Sequence, residues 1–337
     1  MIARPSSPSS ARLPGIEALR GIVAICVVLL HLQATFQDHP AFFAKGYLGV
    51  DFFLMLSGFF MARTQEGRFA DLAGSARFIA ARYRRLWLVM AVGAAIGAPT
   101  LYLRSDGLLH FLSLAVPNLF LLPVSFEYES YPLNIPAWTI FYELVANALH
   151  ALLLWRLRRT GLLVVAALLL PVMVWTGLHC GSLDVGARPE HFLLGLPRTL
   201  FAYVLGMLLG RWRGQVPAPL PASLALALAV TLLPAFSVAS WLLGLTSWSW
   251  DLAFVTLACP AMILSALAYS GPARLAAWLG ILSFPLFAVH MPVVQACSRI
   301  FGFDSLVAGV LALLVGILVA MGWKQVSQGF RTPSTAM

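Results

Sequence analysis

Apolar stretches of about 20 residues recur along the whole chain, each long enough to cross ~30 Å of hydrocarbon. They predict ten membrane-spanning helices, over about 15–36, 47–63, 86–104, 136–156, 161–178, 190–210, 219–236, 248–270, 277–298 and 305–323. The expected fold is all-α and polytopic, with a leader over 1–14, one membrane domain over 15–324 and a tail over 325–337. The polar breaks between spans test this count. Arginines cluster before span one (Arg4, Arg12), after span two (Arg63, Arg68, Arg77, Arg82, Arg84, Arg85), after span four (Arg156, Arg158, Arg159) and after span six (Arg211, Arg213). Arg274 follows span eight, and Lys324 and Arg331 close the chain. With both termini cytoplasmic, every cluster falls on the cytoplasmic side, as the positive-inside rule requires. Leu108–Pro123 is apolar too, but an eleventh crossing there would invert the later clusters. It is expected to be re-entrant or to lie at the outer interface.

With 60% hydrophobic and 10% charged residues, a soluble globular protein is excluded. The net charge of +9 resides in the connections between spans, so it reports membrane orientation and does not point to nucleic acid. Cys26, Cys180, Cys259 and Cys297 show no CxxC or metal-ligand spacing and read as small packing residues. No spacing of ligand-type residues argues for a metal.

Ionisable residues inside apolar spans are the candidates for chemistry, because each is costly in lipid. Span one, read as EALRGIVAICVVLLHLQ, carries Arg20 and His31 eleven residues apart: one helix face, about 16 Å along the axis. An anchor at Arg20 and a hydrogen-bonded bundle histidine at His31 are the bland alternative. Glu143 lies in span four, in IPAWTIFYELVANALH. If that span starts at the outer surface, Glu143 is at about the depth of His31 and is expected to orient it as a general base; the alternative is that Glu143 neutralises Arg20 or another cation. Asp51, in GYLGVDFFLMLSGFF, sits near the outer end of span two, with Ser57 and Gly58 allowing close helix approach. Asp51 is open to structural, orienting or acceptor-binding roles. Arg82 and Arg85 are one turn apart, either as a topology signal or as a clamp for a phosphorylated cytosolic donor. His290, between Pro285 and Pro292, is a packing residue or an acceptor contact.

Several of these motifs together resemble membrane acyltransferase family 3, the bacterial integral-membrane enzymes that O-acylate cell-surface and exported glycans. The family's early Arg followed by His after ten intervening residues matches Arg20 and His31. Its Gly-Val-Asp-x-Phe-Phe-x-x-Ser-Gly-Phe pattern matches GVDFFLMLSGF, with one residue fewer after Asp51. Its Arg-x-x-Arg matches Arg82 and Arg85. Its Trp-Ser-Leu-x-x-Glu matches Trp138–Glu143, with Thr139 and Ile140 substituted. Its Ser-Tyr-x-x-Tyr-x-x-His matches Ser283–His290, with Phe284 and Phe287 in place of the tyrosines. The resemblance implies a bacterial cytoplasmic-membrane enzyme with no bound cofactor. It would move an acetyl or other short acyl group from acyl-CoA to a carbohydrate hydroxyl. His31 and Glu143 would be catalytic, Arg20, Arg82 and Arg85 would hold the donor, and Asp51, Ser57, Trp138 and His290 are candidates around the acceptor. A glycan or acyl-donor transporter, using the same charges as a path, is the alternative from another class.

Overall fold

The structure, a computed structural model, describes residues 13–37, 40–69, 71–212, 221–269 and 273–329. The expected leader up to residue 12, Arg213 and Arg331 lie outside the described residues. Among those described there are helices and no strands. Helix α1 (Pro14–Phe36) opens on a proline, whose missing N–H costs nothing in a first turn, and ends where Gln37 turns left-handed and returns its N–H to Gln33. It is followed by α2 (Leu48–Thr64), α3 (Leu72–Arg104), α4 (Leu108–Leu119), α5 (Ala137–Leu152), α6 (Arg159–Cys180), α7 (Gly195–Gly210) and α8 (Ala222–Leu243). Helices α9 (Trp248–Ala253) and α10 (Cys259–Leu267) form one rod joined by a π turn, Phe254–Ala258, and α11 (Arg274–Ala296) and α12 (Ser305–Gly329) close the described chain.

Nine described helical segments are long and apolar enough to cross a membrane, one fewer than expected. The shortfall is span four. Helix α5 has only 16 residues, about 24 Å, because the chain before it folds into the bundle instead of running along its surface. Ser130, Tyr131, Leu133 and Asn134 in that connection are all buried. Helix α4 doubles back along α3, where Trp87 and Tyr83 donate to the carbonyls of Leu119 (2.7 Å) and Phe120 (3.2 Å). This is the geometry of a segment that re-enters the bundle, with its free carbonyls satisfied by neighbouring side chains. Helix α3 is longer than its predicted span, starting at an Asp71 cap that accepts from the N–H of Gly74.

Two pairs dominate the packing: α1 lies along α11, and α2 along α7, while α11 also contacts α3 and α12. The α2–α7 contact is a backbone-to-backbone approach. A β-carbon on Gly58 would overlap the carbonyl oxygen of Tyr203, and one on Gly206 that of Met55. Small residues of this kind let helices gain dispersion energy where lipid removes the hydrophobic drive for association. Gly206→Leu is therefore expected to force α2 and α7 apart and cost about 1–3 kcal/mol. Thermal unfolding in lipid nanodiscs reads this; an unchanged midpoint would refute the close approach.

Candidate active site

The site is assembled where α1 meets α11. His31, half-buried, faces the fully buried His290, with ring centroids 5.1 Å apart and planes inclined at 37°. His290 Nδ1 lies 2.8 Å from the carbonyl oxygen of Phe287 and 3.1 Å from that of Leu286, in the preceding turn of its own helix. Carbonyls only accept, so the geometry assigns the proton to Nδ1 and leaves a lone pair on Nε2. That Nε2 is buried and has no partner among the described residues.

Pro292 shapes this part of α11. A proline has no N–H for the carbonyl four residues back, here that of Ala288. The side-chain amide of Asn134 takes that place, donating to Ala288 O at 2.9 Å. The buried connection before α5 is thus pinned beside the histidine pair, and Asn134 Oδ1 is itself buried without a partner. Below the pair, Phe287 packs against both His290 (5.9 Å) and Phe53 of α2 (6.4 Å).

Glu143 does not meet His31. It accepts from Ser57 Oγ at 3.0 Å and from the Arg82 guanidinium, which also lies 3.4 Å from Ser57 Oγ. Arg20 shares this region, with Arg85, Glu143, Arg82 and Glu17 as its electrostatic neighbours. Glu143 therefore sits at the level of Arg20, about 16 Å along α1 from His31. The expected pairing fails because it placed the start of α5 at the outer surface, whereas α5 starts inside the bundle beside Ala288. The alternative reading, Glu143 neutralising a cation, is the one the geometry shows, with the half-buried Arg82 as that cation.

Asp51 and Trp138 are brought together with a residue that the sequence reading passed over. Arg198 of α7 is fully buried and forks onto Asp51, at 3.1 Å from Nε and 2.7 Å from Nη2. Its remaining donors go to the carbonyls of Val185 (3.0 Å) and Tyr47 (3.1 Å), and its plane lies between the rings of Tyr47 (5.6 Å) and Trp138 (5.5 Å). Asp51 and Trp138 thus both hold Arg198. Next to it, Lys45 pairs with Asp251 at 2.5 Å, and the Tyr47 hydroxyl donates to the same carboxylate at 2.6 Å. Arg198 stands inside the apolar run LLGLPRTLFAYVLG, the same signal that marks Arg20, and was legible by that rule. No group of three metal-ligating side chains is present among the described residues.

The chain matches the family profile of the acyltransferase 3 domain over residues 13–323. It belongs to acyltransferase family 3. It is 32% identical over 156 residues to "Protein 2 in picA locus" of Rhizobium radiobacter, covering 40% of this chain and 79% of that protein. It is 30% identical over 188 residues to the exopolysaccharide production protein ExoZ of Rhizobium meliloti (strain 1021), covering 52% of this chain and about half, 54%, of that relative. No solved structure matches the chain. The protein is a multi-pass integral membrane acyltransferase, and the transporter alternative has no support. In this acyltransferase the Asp51–Arg198 pair is a structural clamp. Asp51→Ala leaves a buried guanidinium unpaired and is expected to cost about 3–5 kcal/mol, while Asp51→Leu combined with Arg198→Met is milder. Thermal unfolding of the three proteins is the check; a double variant at least as damaged as Asp51→Ala would contradict this account.

Proposed function

We propose that this acyltransferase moves an acetyl or similar short acyl group from acyl-CoA to a hydroxyl of a carbohydrate, with the reaction centred on His31 and His290. The observation that carries the reading is the histidine pair itself: two imidazoles facing each other between α1 and α11, one with its tautomer fixed and its second nitrogen unspent. His31 removes the proton of the acceptor hydroxyl as its oxygen attacks the thioester carbonyl. The carbon–sulfur bond then breaks, and the thiol leaves carrying a proton. A neutral imidazole is a general base of the kind this exchange needs, and on His290 only Nε2 has a lone pair to offer. His290, held against its own backbone carbonyls, offers Nε2 to the same proton or to the acceptor.

The basic end of the bundle supports the donor assignment. Arg20, Arg82 and Arg85 gather there around Glu143 and Glu17, three guanidiniums against two carboxylates, and a phosphorylated co-substrate from the cytoplasm fits this charge. The arginine-rich connections also favour both chain termini on the cytoplasmic side. Glu143 takes a positioning role in this reading, fixing Arg82 and Ser57. A carbohydrate acceptor is suggested by the family and by the name of the ExoZ relative, and it would approach from the end of α1 that carries His31.

The test is acyl transfer from radiolabelled acetyl-CoA to a panel of cell-envelope glycans, with the protein in nanodiscs. General-base removal costs about 10²–10⁴-fold. His31→Ala is expected to lose turnover in that range, and His290→Ala at least tenfold, both with unaltered unfolding midpoints. Turnover retained in both variants would remove the histidine pair from the mechanism.

A further inference from the structure

The basic end holds a second feature apart from the Glu143 cluster. An open recess of about 600 Å³ lies between the end of α2, the start of α6 and the end of α7, lined by Ala62, Arg63, Glu66, Arg159, Arg211 and Trp212, with Gly210 at its base. Its charges are unequal. Arg211 is spent: it grips Glu66 at 2.9 and 2.6 Å and donates to the carbonyl of Trp155 at 3.1 Å. Burial alone would raise the Glu66 pKa, but hydrogen bonds from His150 and Arg211 outweigh it and hold the carboxyl below its ordinary value, so it stays ionised. Arg63 is exposed and lies over the Phe59 ring at 5.3 Å, and Arg159 donates to the carbonyl of Arg211. Neither guanidinium meets a carboxylate among the described residues. Three arginines face one carboxylate, and the surplus is positive. Trp212 is half-exposed at the same rim, and an indole is a side chain on which bases stack.

We propose that this recess holds the nucleotide end of the donor, Arg63 and Arg159 meeting its phosphates and Trp212 its base. The inference rests on the acyl-CoA reading above and adds a subsite to it. Distance supports it. From Arg63 to Phe53 is ten residues of α2, about 15 Å of rise. Phe53 then reaches His290 through the Phe287 ring, by contacts of 6.4 and 5.9 Å. The thioester sulfur of acyl-CoA is about thirteen bonds from the first phosphorus, roughly 16 Å when extended. A donor with its phosphates at Arg63 thus brings its thioester sulfur to the level of Phe53, two ring contacts from His290. Arg82 shares its charge with Glu143, so Arg63 and Arg159 add to the Arg20, Arg82 and Arg85 cluster a pair of guanidiniums without a carboxylate partner among the described residues.

Binding of coenzyme A, of adenosine 3′,5′-bisphosphate and of acetyl-pantetheine, which lacks the nucleotide, would be measured calorimetrically in nanodiscs. The proteins are wild type, Arg63→Gln/Arg159→Gln and Arg63→Lys/Arg159→Lys. The glutamine pair is expected to weaken coenzyme A at least tenfold and to abolish the preference of wild type for coenzyme A over acetyl-pantetheine. The lysine pair, which keeps both charges, should stay within a few-fold of wild type. Trp212→Phe should remove a fluorescence quench caused by the bisphosphate. Unchanged coenzyme A affinity in the glutamine pair overturns the subsite while leaving acyl transfer intact. A wild type that consumes acetyl-pantetheine but binds no coenzyme A or bisphosphate does the same. A wild type that neither binds nor consumes any of these donors overturns the acyl-CoA reading as well. The same proteins in phosphatidylglycerol nanodiscs identify the competing source of phosphate. Anionic lipid retained by wild type and lost from the glutamine pair, with coenzyme A affinity unchanged, assigns the recess to a lipid headgroup and rejects the proposal.

Discussion

A charge placed in hydrocarbon must find its counter-charge inside the protein, and this requirement organises the bundle. Asp51 and Arg198 meet with full hydrogen bonding, backed by two aromatic rings and two backbone carbonyls. Lys45 and Asp251 repeat the arrangement alongside. Glu143 and Arg82 do so towards the basic end, and Glu66, Arg211 and His150 at its margin. Each pair ties helices distant in sequence, α2 to α7 and α3 to α5 among them. Ion pairing of this kind contributes little net stability, since desolvation offsets the attraction, but a mismatched register would strand a charge. The pairs therefore select one arrangement of helices from many that would pack equally well.

The histidine pair departs from that pattern. Its members face one another and not a carboxylate, and His290 answers to carbonyls of its own helix. The buried junction contains unsatisfied acceptor capacity on His290 and Asn134. Polar groups left open in an interior are costly, and in the proposed mechanism the acceptor hydroxyl is the partner that His290 Nε2 would take.

Most of the architecture was legible because a span announces itself by length and apolarity, and the intramembrane ionisable groups by their rarity. Arg20, His31, Glu143 and Asp51 stand out for that reason. What was not legible was which of them touch. Depth was reckoned from span ends, and the span containing Glu143 begins inside the bundle. That error moved Glu143 by several turns and assigned it to the wrong partner. The inward fold of residues 130–134 leaves only a weak trace in sequence, a Ser-Tyr-Pro-Leu-Asn run that reads as an ordinary polar loop. His290 reads from the sequence as a packing residue or an acceptor contact, since nothing in one chain says which helix will lie opposite. Arg198 needed no structure to be noticed, only the same rule applied evenly.

The packing of α1 against α11 also bears on how such a chain is made. His290 emerges from the ribosome 290 − 31 = 259 residues after His31. At synthesis rates of about 5–20 residues per second, the first helix waits for more than ten seconds before its partner exists. During that interval His31 resides in the membrane without the histidine that later faces it, whereas the neighbours of Arg20 on α3 and α5 are already made. Biogenesis must therefore proceed through an early bundle that is inactive, and chains cut short before α11 would carry His31 unsheltered, a mark by which membrane quality control can tell them from finished enzyme.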